Sequence, residues 1–402
     1  MLRHGPCHTG ACASDRTDSH PRTPWGTLVR GPGRPCLAGP IRVPDAALWA
    51  ENGRAEVTRQ ERHCDLVLGG GGVRGVAHIG ALTALEEAGY EVVRVAGASA
   101  GALSGAFAVA GVPATDLKTL FDELDFTRFA LADVVGRLRD NRAMDRLLAR
   151  FTDEDTDPLR WITEVLEGQG IETFGDLKVT DVDADAPIEQ RYRLVVRCLD
   201  VLNRRVVRLP WDYERFDLDP DTQPVAEAVR ASMSIPFVYD PVRIGNRDTG
   251  AQALLIDGGL TSGFPVDVLD RIDGRAPRWP TFGIRLLPRP PADPELPSSA
   301  VALARMVVDA LLDTSDQLTP TSPCDERRTV RVDLSEVGTL DLDADEQYDL
   351  FSDGYDTMRD FLAGFSFEDY LSRCGPVGSP TERVGEGAGE AVTELPGQPA
   401  DA

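Results

Sequence analysis

The stretch from Cys64 to Gly105 restricts the possible folds more than any other part of the 402-residue chain. An apolar run ending at Leu68 predicts a buried strand, and four glycines follow it at positions 69–72. Apolar residues at helical spacing then predict a helix that ends near Gly89: Val76, Ile79, Leu82 and Leu85. A second apolar run at 92–96 leads into Gly-Ala-Ser-Ala-Gly at 97–101. The predicted order is therefore strand, glycine turn, helix, strand and a G-x-S-x-G turn.

The glycine run predicts a place for a negative charge. Gly70, Gly71 and Gly72 stand at the start of the helix, and Arg74 and Gly75 follow them. Glycines allow sharp turns, and N–H groups at a helix start point toward one spot with the helix dipole behind them. Such a spot suits a resting phosphate, or an oxygen that becomes anionic during a reaction. Taken alone, the run is also compatible with a nucleotide loop or a packing turn.

The G-x-S-x-G turn identifies Ser99 as a candidate nucleophile. This pattern places a serine on a strained turn between a strand and a helix. Gly97 and Gly101 leave room for the bend. The glycine run and this turn each follow an apolar strand and lie one helix apart, and that pairing is more specific than either motif alone.

Asp257 is the third candidate site residue. It ends an apolar strand predicted at 253–256 and is followed by Gly258 and Gly259. Two glycines after an aspartate allow the carboxyl group to approach another turn closely. The same pattern also describes an ordinary turn aspartate or helix cap, and the residues alone leave both interpretations open.

Together, these motifs resemble those of the patatin-like phospholipase family. The similarity rests on GGGVRG at 70–75, GASAG at 97–101 and DGG at 257–259. Smaller similarities are VRASMSIP at 229–236 and TFGDL at 173–177. The resemblance covers residues 64–270 well and continues weakly to about residue 370.

The resemblance implies an α/β fold with a mainly parallel central sheet and helices on both faces. It implies that Ser99 and Asp257 form a catalytic dyad, and that the backbone of Gly70, Gly71 and Gly72 forms the oxyanion hole. Supporting positions fall to the remaining motif residues: Arg74, Gly75, Gly97, Gly101, Gly258 and Gly259. The resemblance implies no metal and no organic cofactor.

The histidines support a dyad independently of the resemblance. An ordinary α/β-hydrolase triad runs serine, acid and then histidine along the chain. All five histidines precede Ser99, so none can be the late histidine of that order. His78 alone lies within the well-matched region, and we interpret it as a helix residue with its hydrogen bonds satisfied. A base recruited from upstream stays open, because triads are defined by geometry.

The function that the resemblance implies is that of a lipid acyl hydrolase, either a phospholipase A or a carboxylesterase, acting in lipid degradation. A serine acyltransferase would use the same acyl-enzyme and stays open as an alternative. A nucleotide-binding module is disfavoured. A P-loop needs G-K-[ST] after its glycines, where this chain has Val73-Arg74-Gly75, and the second strand ends in Gly97 rather than in an acidic residue.

The chain divides into three predicted segments. Residues 1–62 are rich in Pro, Gly, Arg, Ser and Thr without periodicity, which predicts a disordered N-terminal extension. Residues 63–374 form the predicted acyl hydrolase domain. Residues 375–402 are rich in Pro, Gly and Glu and predict a flexible tail.

Composition limits the partners and the location. A formal net charge of −24 argues against nucleic acid and against strong attraction to anionic membranes, so contact with lipid would have to be local and apolar. No apolar stretch resembles a signal peptide or a transmembrane helix, which predicts a cytoplasmic protein with transient contact to lipid surfaces. The seven cysteines are scattered and odd in number, which predicts no disulfide framework.

Two regions carry helical predictions that bear on substrate access. Residues 114–170 predict short helices at 116–124, 142–150 and 158–166. By resemblance they would form an acyl-chain entrance or a lid, and a solvated helical insertion is an equal alternative. A further helix is predicted at 300–312, with an apolar face that we expect to pack into the core: Leu303, Met306, Val307, Ala310 and Leu311.

Overall fold

The computed structural model describes residues 62–122, 158–180, 182, 186–236, 238–261, 264–289, 296–297, 300–314, 322–335 and 342–375. All of them belong to the unit that spans Thr58–Ala402. The strands are β1 Arg62–Leu68, β2 Tyr90–Gly97, β3 Leu194–Asp200, β4 Arg205–Leu209, β5 Val242–Gly245, β6 Gln252–Asp257, β7 Thr281–Leu287 and β8 Thr329–Asp333. The helices are α1 Val76–Glu87, α2 Ala100–Ala110, α3 Ala114–Asp122, α4 Pro158–Gly168, α5 Val225–Ser232, α6 Ala300–Thr314, α7 Pro323–Arg327, α8 Ala344–Gly364 and α9 Phe367–Cys374.

The strands form one mixed sheet in the order β5-β6-β3-β2-β1-β7-β8, and β4 pairs with β3 beside this path. The pairs from β3 through β2, β1 and β7 to β8 are parallel. The pairs that β3 makes with β4 and β6, and the β5–β6 pair, are antiparallel. The predicted fold class, a mostly parallel central sheet flanked by helices, is confirmed.

The parallel pairing of β1 and β2 brings their two turns together. Leu68 at the end of β1 lies opposite Gly97 at the end of β2, so the glycine loop and the G-x-S-x-G turn leave the sheet side by side. On the other side of β3, the antiparallel strand β6 ends with Asp257 opposite Cys198. The topology therefore places all three motifs at one edge of the sheet.

Helix α1, which follows the glycine loop, is largely buried. Its residues from Val76 to Leu82 are all buried, as are Ala84 and Leu85. It crosses α8 so closely that a Cβ atom on Gly80 would overlap the α8 backbone, and a Cβ atom on Gly354 would overlap the α1 backbone. The late helix α8 is thereby packed against the helix that follows the glycine loop.

Helix α6 corrects one prediction. The helix is present, but its apolar face does not pack into the core. Its side chains are exposed by 51% at Leu303, 43% at Met306, 50% at Val307 and 48% at Leu311, whereas Val308 is 5% exposed. Periodicity identifies the residues that share a face, but it does not identify what covers that face, and here the core lies on the Val308 side.

The cysteines and the short elements show where the sequence is least informative. The sequence predicted no disulfide framework, and the described residues contain one bridge, Cys324–Cys374, which joins α7 to α9 with Cα atoms 5.7 Å apart. The predicted helices near 116–124 and 158–166 correspond to α3 and α4, and the one at 142–150 lies outside the described residues.

Across the described ranges, no helix has the length and apolar character needed to cross a membrane.

Candidate active site

Ser99 sits on a strained turn between β2 and α2. Its backbone has φ 53° and ψ −125°, a region that residues other than glycine rarely adopt. Such a conformation costs about 1–3 kcal/mol and persists only where the surroundings enforce it. The side chain is 3% exposed. The predicted elbow geometry is therefore present.

The glycines beside Ser99 are required by close backbone approach. A Cβ atom on Gly101 would come within 2.5 Å of the carbonyl oxygens of Leu68 and Gly69. A Cβ atom on Gly97 would overlap the backbone of Gly101. The turn therefore packs directly against the backbone at the end of β1, where the glycine loop begins.

The glycine loop faces the elbow. A Cβ atom on Gly70 would lie 3.7 Å from Ser99 Cβ and 3.6 Å from the Cα atom of Gly259, so the three positions are neighbours. The Gly69 N–H donates to the carbonyl oxygen of Ile284 at 3.0 Å, which ties the loop to β7. By contrast, within the part of the chain that the structure describes, the N–H groups at positions 70–72 donate no hydrogen bond.

Asp257 presents a buried carboxyl group with one oxygen bound and one oxygen unsatisfied. Its Oδ1 accepts from the Gly259 N–H at 2.7 Å. Its Oδ2 has no hydrogen-bond partner among the described residues. Burial raises the pKa of Asp257 from 3.8 to about 7, and the nearby Ser99 side chain and the Gly259 N–H offset part of that rise. A carboxyl group in this state exchanges a proton near neutral pH.

Ser232 and Ser234 were not identified from the sequence as site residues. The Ser99 N–H donates to Ser232 Oγ at 2.8 Å, and Ser232 Oγ donates to the Arg197 carbonyl oxygen at 2.7 Å. Two residues later, the Ser234 carbonyl oxygen accepts from the Asp257 N–H at 2.9 Å. Both serines belong to the segment 229–236, whose similarity to the family was the one sequence signal that could have identified them. This segment contacts the backbone of both Ser99 and Asp257.

His78 binds the start of the glycine loop. Its Nε2–H donates to the Gly69 carbonyl oxygen at 2.9 Å. Burial lowers the pKa of His78 to about 4, so the ring is neutral at pH 7. The sequence predicts a histidine with its hydrogen bonds satisfied, and this is wrong for one ring nitrogen: Nδ1 is buried and has no hydrogen-bond partner among the described residues.

A cavity of about 380 Å³ opens beside these turns. Its lining includes the glycine loop, Ala98 and Gly259, together with Leu312 and Asp313 of α6. Arg74 Nη1 donates to Asp313 Oδ1 at 2.7 Å, and both residues line the cavity. Ser99 and Asp257 do not line the cavity, because the elbow and the strand end bury them. The described residues contain no group of three or more His, Cys, Asp or Glu side chains suited to a metal ion.

Comparisons with known proteins agree with the motifs. The sequence model of the patatin-like phospholipase family matches residues 66–270. An uncharacterized protein of Bacillus subtilis, YqhO, is 33% identical over 257 residues, which cover 63% of this chain and 80% of YqhO. The neuropathy target esterase sws of Drosophila melanogaster is 66% identical over 41 residues, which cover 10% of this chain and 3% of the esterase.

One solved structure with a similar fold is the ExoU–SpcU complex of the Pseudomonas aeruginosa type III secretion system. The match has a TM-score of 0.44 and 18% identity, and it covers 78% of this chain and 52% of that one. The family match covers the glycine loop, the turn at Ser99 and the turn after Asp257. On these grounds, the chain belongs to the patatin-like phospholipase family.

Proposed function

We propose that this protein hydrolyses carboxyl esters of lipids through an acyl-enzyme formed on Ser99. The observation that supports the proposal most strongly is the convergence of three features. A strained serine, a buried carboxyl group with a pKa of about 7 and a loop whose N–H groups at 70–72 have no acceptor among the described residues meet at one sheet edge. Each feature has its own function in acyl transfer, and the family match supports the same reaction class.

In the proposed acylation step, Ser99 Oγ attacks the ester carbonyl carbon and its proton passes to Asp257. The carbonyl oxygen becomes an anion held by N–H groups at 70–72, and each such donor contributes on the order of 3 kcal/mol. The tetrahedral intermediate then expels the alcohol, which takes the proton from Asp257. The acyl group remains on Ser99.

In deacylation, water is the nucleophile and Ser99 is the leaving group. Water gives a proton to Asp257 and attacks the acyl carbon, and the fatty acid leaves as Ser99 regains its proton. A carboxylate with an ordinary pKa is a weak base toward a hydroxyl group, but burial brings the pKa of Asp257 close to neutral pH. The steps use only groups supplied by this chain and by water.

The test is covalent labelling combined with turnover. A fluorophosphonate probe should label the protein at Ser99, and Ser99→Ala should abolish labelling while the circular dichroism spectrum is unchanged. Label on a peptide without Ser99 would refute the nucleophile. Release of free fatty acid from p-nitrophenyl esters and phospholipids, with and without an alcohol acceptor, separates hydrolysis from acyl transfer.

The base is tested by two matched substitutions. Asp257→Asn should lower kcat by about a hundredfold or more, because it removes the proton acceptor. His78→Gln keeps an N–H donor toward the Gly69 carbonyl oxygen and should retain most activity. An inactive His78→Gln together with an active Asp257→Asn would exclude the dyad.

A further inference from the structure

Helix α6 combines an exposed apolar face with a position at the cavity. The apolar face of α6 consists of five uncharged residues that share one side of the helix: Leu303, Met306, Val307, Ala310 and Leu311. All five are exposed. Single exposed apolar side chains are common, but a contiguous set on one helix marks an interaction surface.

Other residues of α6 line the cavity: Asp309 and Leu312 lie on the side away from the apolar face, and Asp313 borders that face. Leu312 lies against the turn after Asp257, where its Cδ2 would be 3.2 Å from a Cβ atom on Gly259. Asp313 is ion-paired with Arg74 beside the glycine loop. One helix therefore connects the protein surface with the entrance to the candidate site.

The site is closed in this arrangement. Ser99 is 3% exposed and Asp257 is fully buried, so a lipid ester cannot reach Ser99 Oγ without movement of a neighbouring element. Contacts of α6 near this turn include Leu312 and the Arg74–Asp313 ion pair, whose side chains are 10% and 30% exposed. Among the described side chains of α6, only Val308 is buried, so moving the helix would uncover little buried side chain.

We propose that the apolar face of α6 docks onto a lipid surface with uncharged or zwitterionic headgroups, and that docking moves α6 away from the cavity mouth. This inference depends on the proposed function. The charge of the chain indicates which lipid surface it binds. The five residues of the face are uncharged, the neighbouring Asp313 is ion-paired with Arg74, and a chain of net charge −24 is repelled by an anionic surface. Apolar insertion into a neutral surface avoids that repulsion and brings the cavity to its substrate.

Binding is measured first, with hydrolysis prevented. The full chain carrying Ser99→Ala should sediment with phosphatidylcholine vesicles, and less of it should sediment when part of the lipid is replaced by phosphatidylglycerol. Serine at four positions should weaken binding to phosphatidylcholine by at least about tenfold, because half-exposed apolar area no longer enters the lipid: Leu303→Ser, Met306→Ser, Val307→Ser and Leu311→Ser.

A matched control separates this face from general surface hydrophobicity. Ile272 and Tyr348 are 53% and 66% exposed and lie outside both α6 and the cavity lining. Ile272→Ser combined with Tyr348→Ser should leave vesicle binding within about twofold. Equal loss in the control and the fourfold variant would overturn the proposal.

Turnover then tests whether docking opens the site. In the otherwise wild-type chain, the fourfold variant should hydrolyse a soluble short-chain ester at the wild-type rate but lose at least about tenfold on phosphatidylcholine vesicles. Loss on both substrates would overturn the docking role. If the face instead binds a second copy, sedimentation will show a dimer that the fourfold variant dissociates, without vesicle binding. If vesicle binding follows the proposal but no ester is cleaved, the proposed function fails while the docking surface stands.

Discussion

Helices α1 and α6 both border the candidate site, and they differ in how their apolar residues are covered. Helix α1 follows the glycine loop and has buried residues on nearly all sides. Helix α6 is also rich in apolar residues, but its apolar face is exposed. We call the glycine-loop side of the cavity, which belongs to the buried core, the rigid side, and the α6 side is the one that we propose moves. The two sides should respond differently to substitution.

The largest expected difference concerns stability. Ile79 in α1 is fully buried and Leu303 in α6 is 51% exposed. Ile79→Ala should lower the free energy of unfolding by about 2–5 kcal/mol, because it removes transfer free energy and leaves a cavity. Leu303→Ala should change the free energy of unfolding by less than about 0.5 kcal/mol. Urea denaturation of both variants gives the comparison, and similar losses would mean that α6 belongs to the core.

The second prediction concerns pH and the buried carboxyl group on the rigid side. The ionised form of Asp257 is the proton acceptor, and its pKa is about 7. We expect kcat/KM for a soluble ester to fall about tenfold for each pH unit below 7. A profile that stays flat down to pH 5 would contradict a base with this pKa.

The same pKa has a stability consequence of defined sign. Between about pH 4 and pH 7 the folded Asp257 carboxyl keeps its proton, whereas the unfolded one is ionised. The folded state therefore binds more protons, and the contribution of Asp257 to the free energy of unfolding falls as pH rises through this window. Asp257→Asn should remove that dependence, so the variant gains stability relative to wild type between pH 5 and pH 8.

A smaller effect is expected at the hydroxyl that supports the elbow. Ser232→Ala removes the acceptor of the Ser99 N–H and should lower kcat about tenfold, with a loss of about 1–3 kcal/mol in the free energy of unfolding. Ser104 is equally buried, and its hydroxyl has no hydrogen-bond partner among the described residues. Ser104→Ala is therefore the matched control and should leave kcat within about twofold. Equal losses in both variants would reduce the role of Ser232 to packing.

The smallest effect is expected at the contact between the two sides. Asp313→Asn weakens the ion pair with Arg74 but keeps a side-chain oxygen that can accept from the guanidinium, so the free energy of unfolding should change by only about 1 kcal/mol. With α6 held less firmly, hydrolysis of phosphatidylcholine vesicles should increase about twofold. A decrease of tenfold or more would place Asp313 in substrate binding rather than in holding the helix closed.

The sequence predicted the rigid side well because its signals are local. Strands, the glycine run and the G-x-S-x-G turn are short contiguous patterns, and their backbone geometry follows from the residues themselves. The role of Ser232 was missed, because a serine in a helix does not indicate that its hydroxyl accepts from a turn 133 positions earlier. The Arg74–Asp313 and Cys324–Cys374 contacts likewise depend on tertiary packing. The apolar periodicity of α6 was read correctly, but its burial was not, because burial depends on what the remaining chain covers.

The segment from Ser232 to Ser234 is hydrogen-bonded to the backbone of both proposed catalytic residues. It accepts from the N–H of Ser99 at one end and from the N–H of Asp257 at the other. When this segment shifts in thermal motion, both groups should be carried in the same direction, and their separation should vary less than the position of either. The distance between Ser99 and Asp257 that proton transfer needs would then persist while α6 moves as proposed.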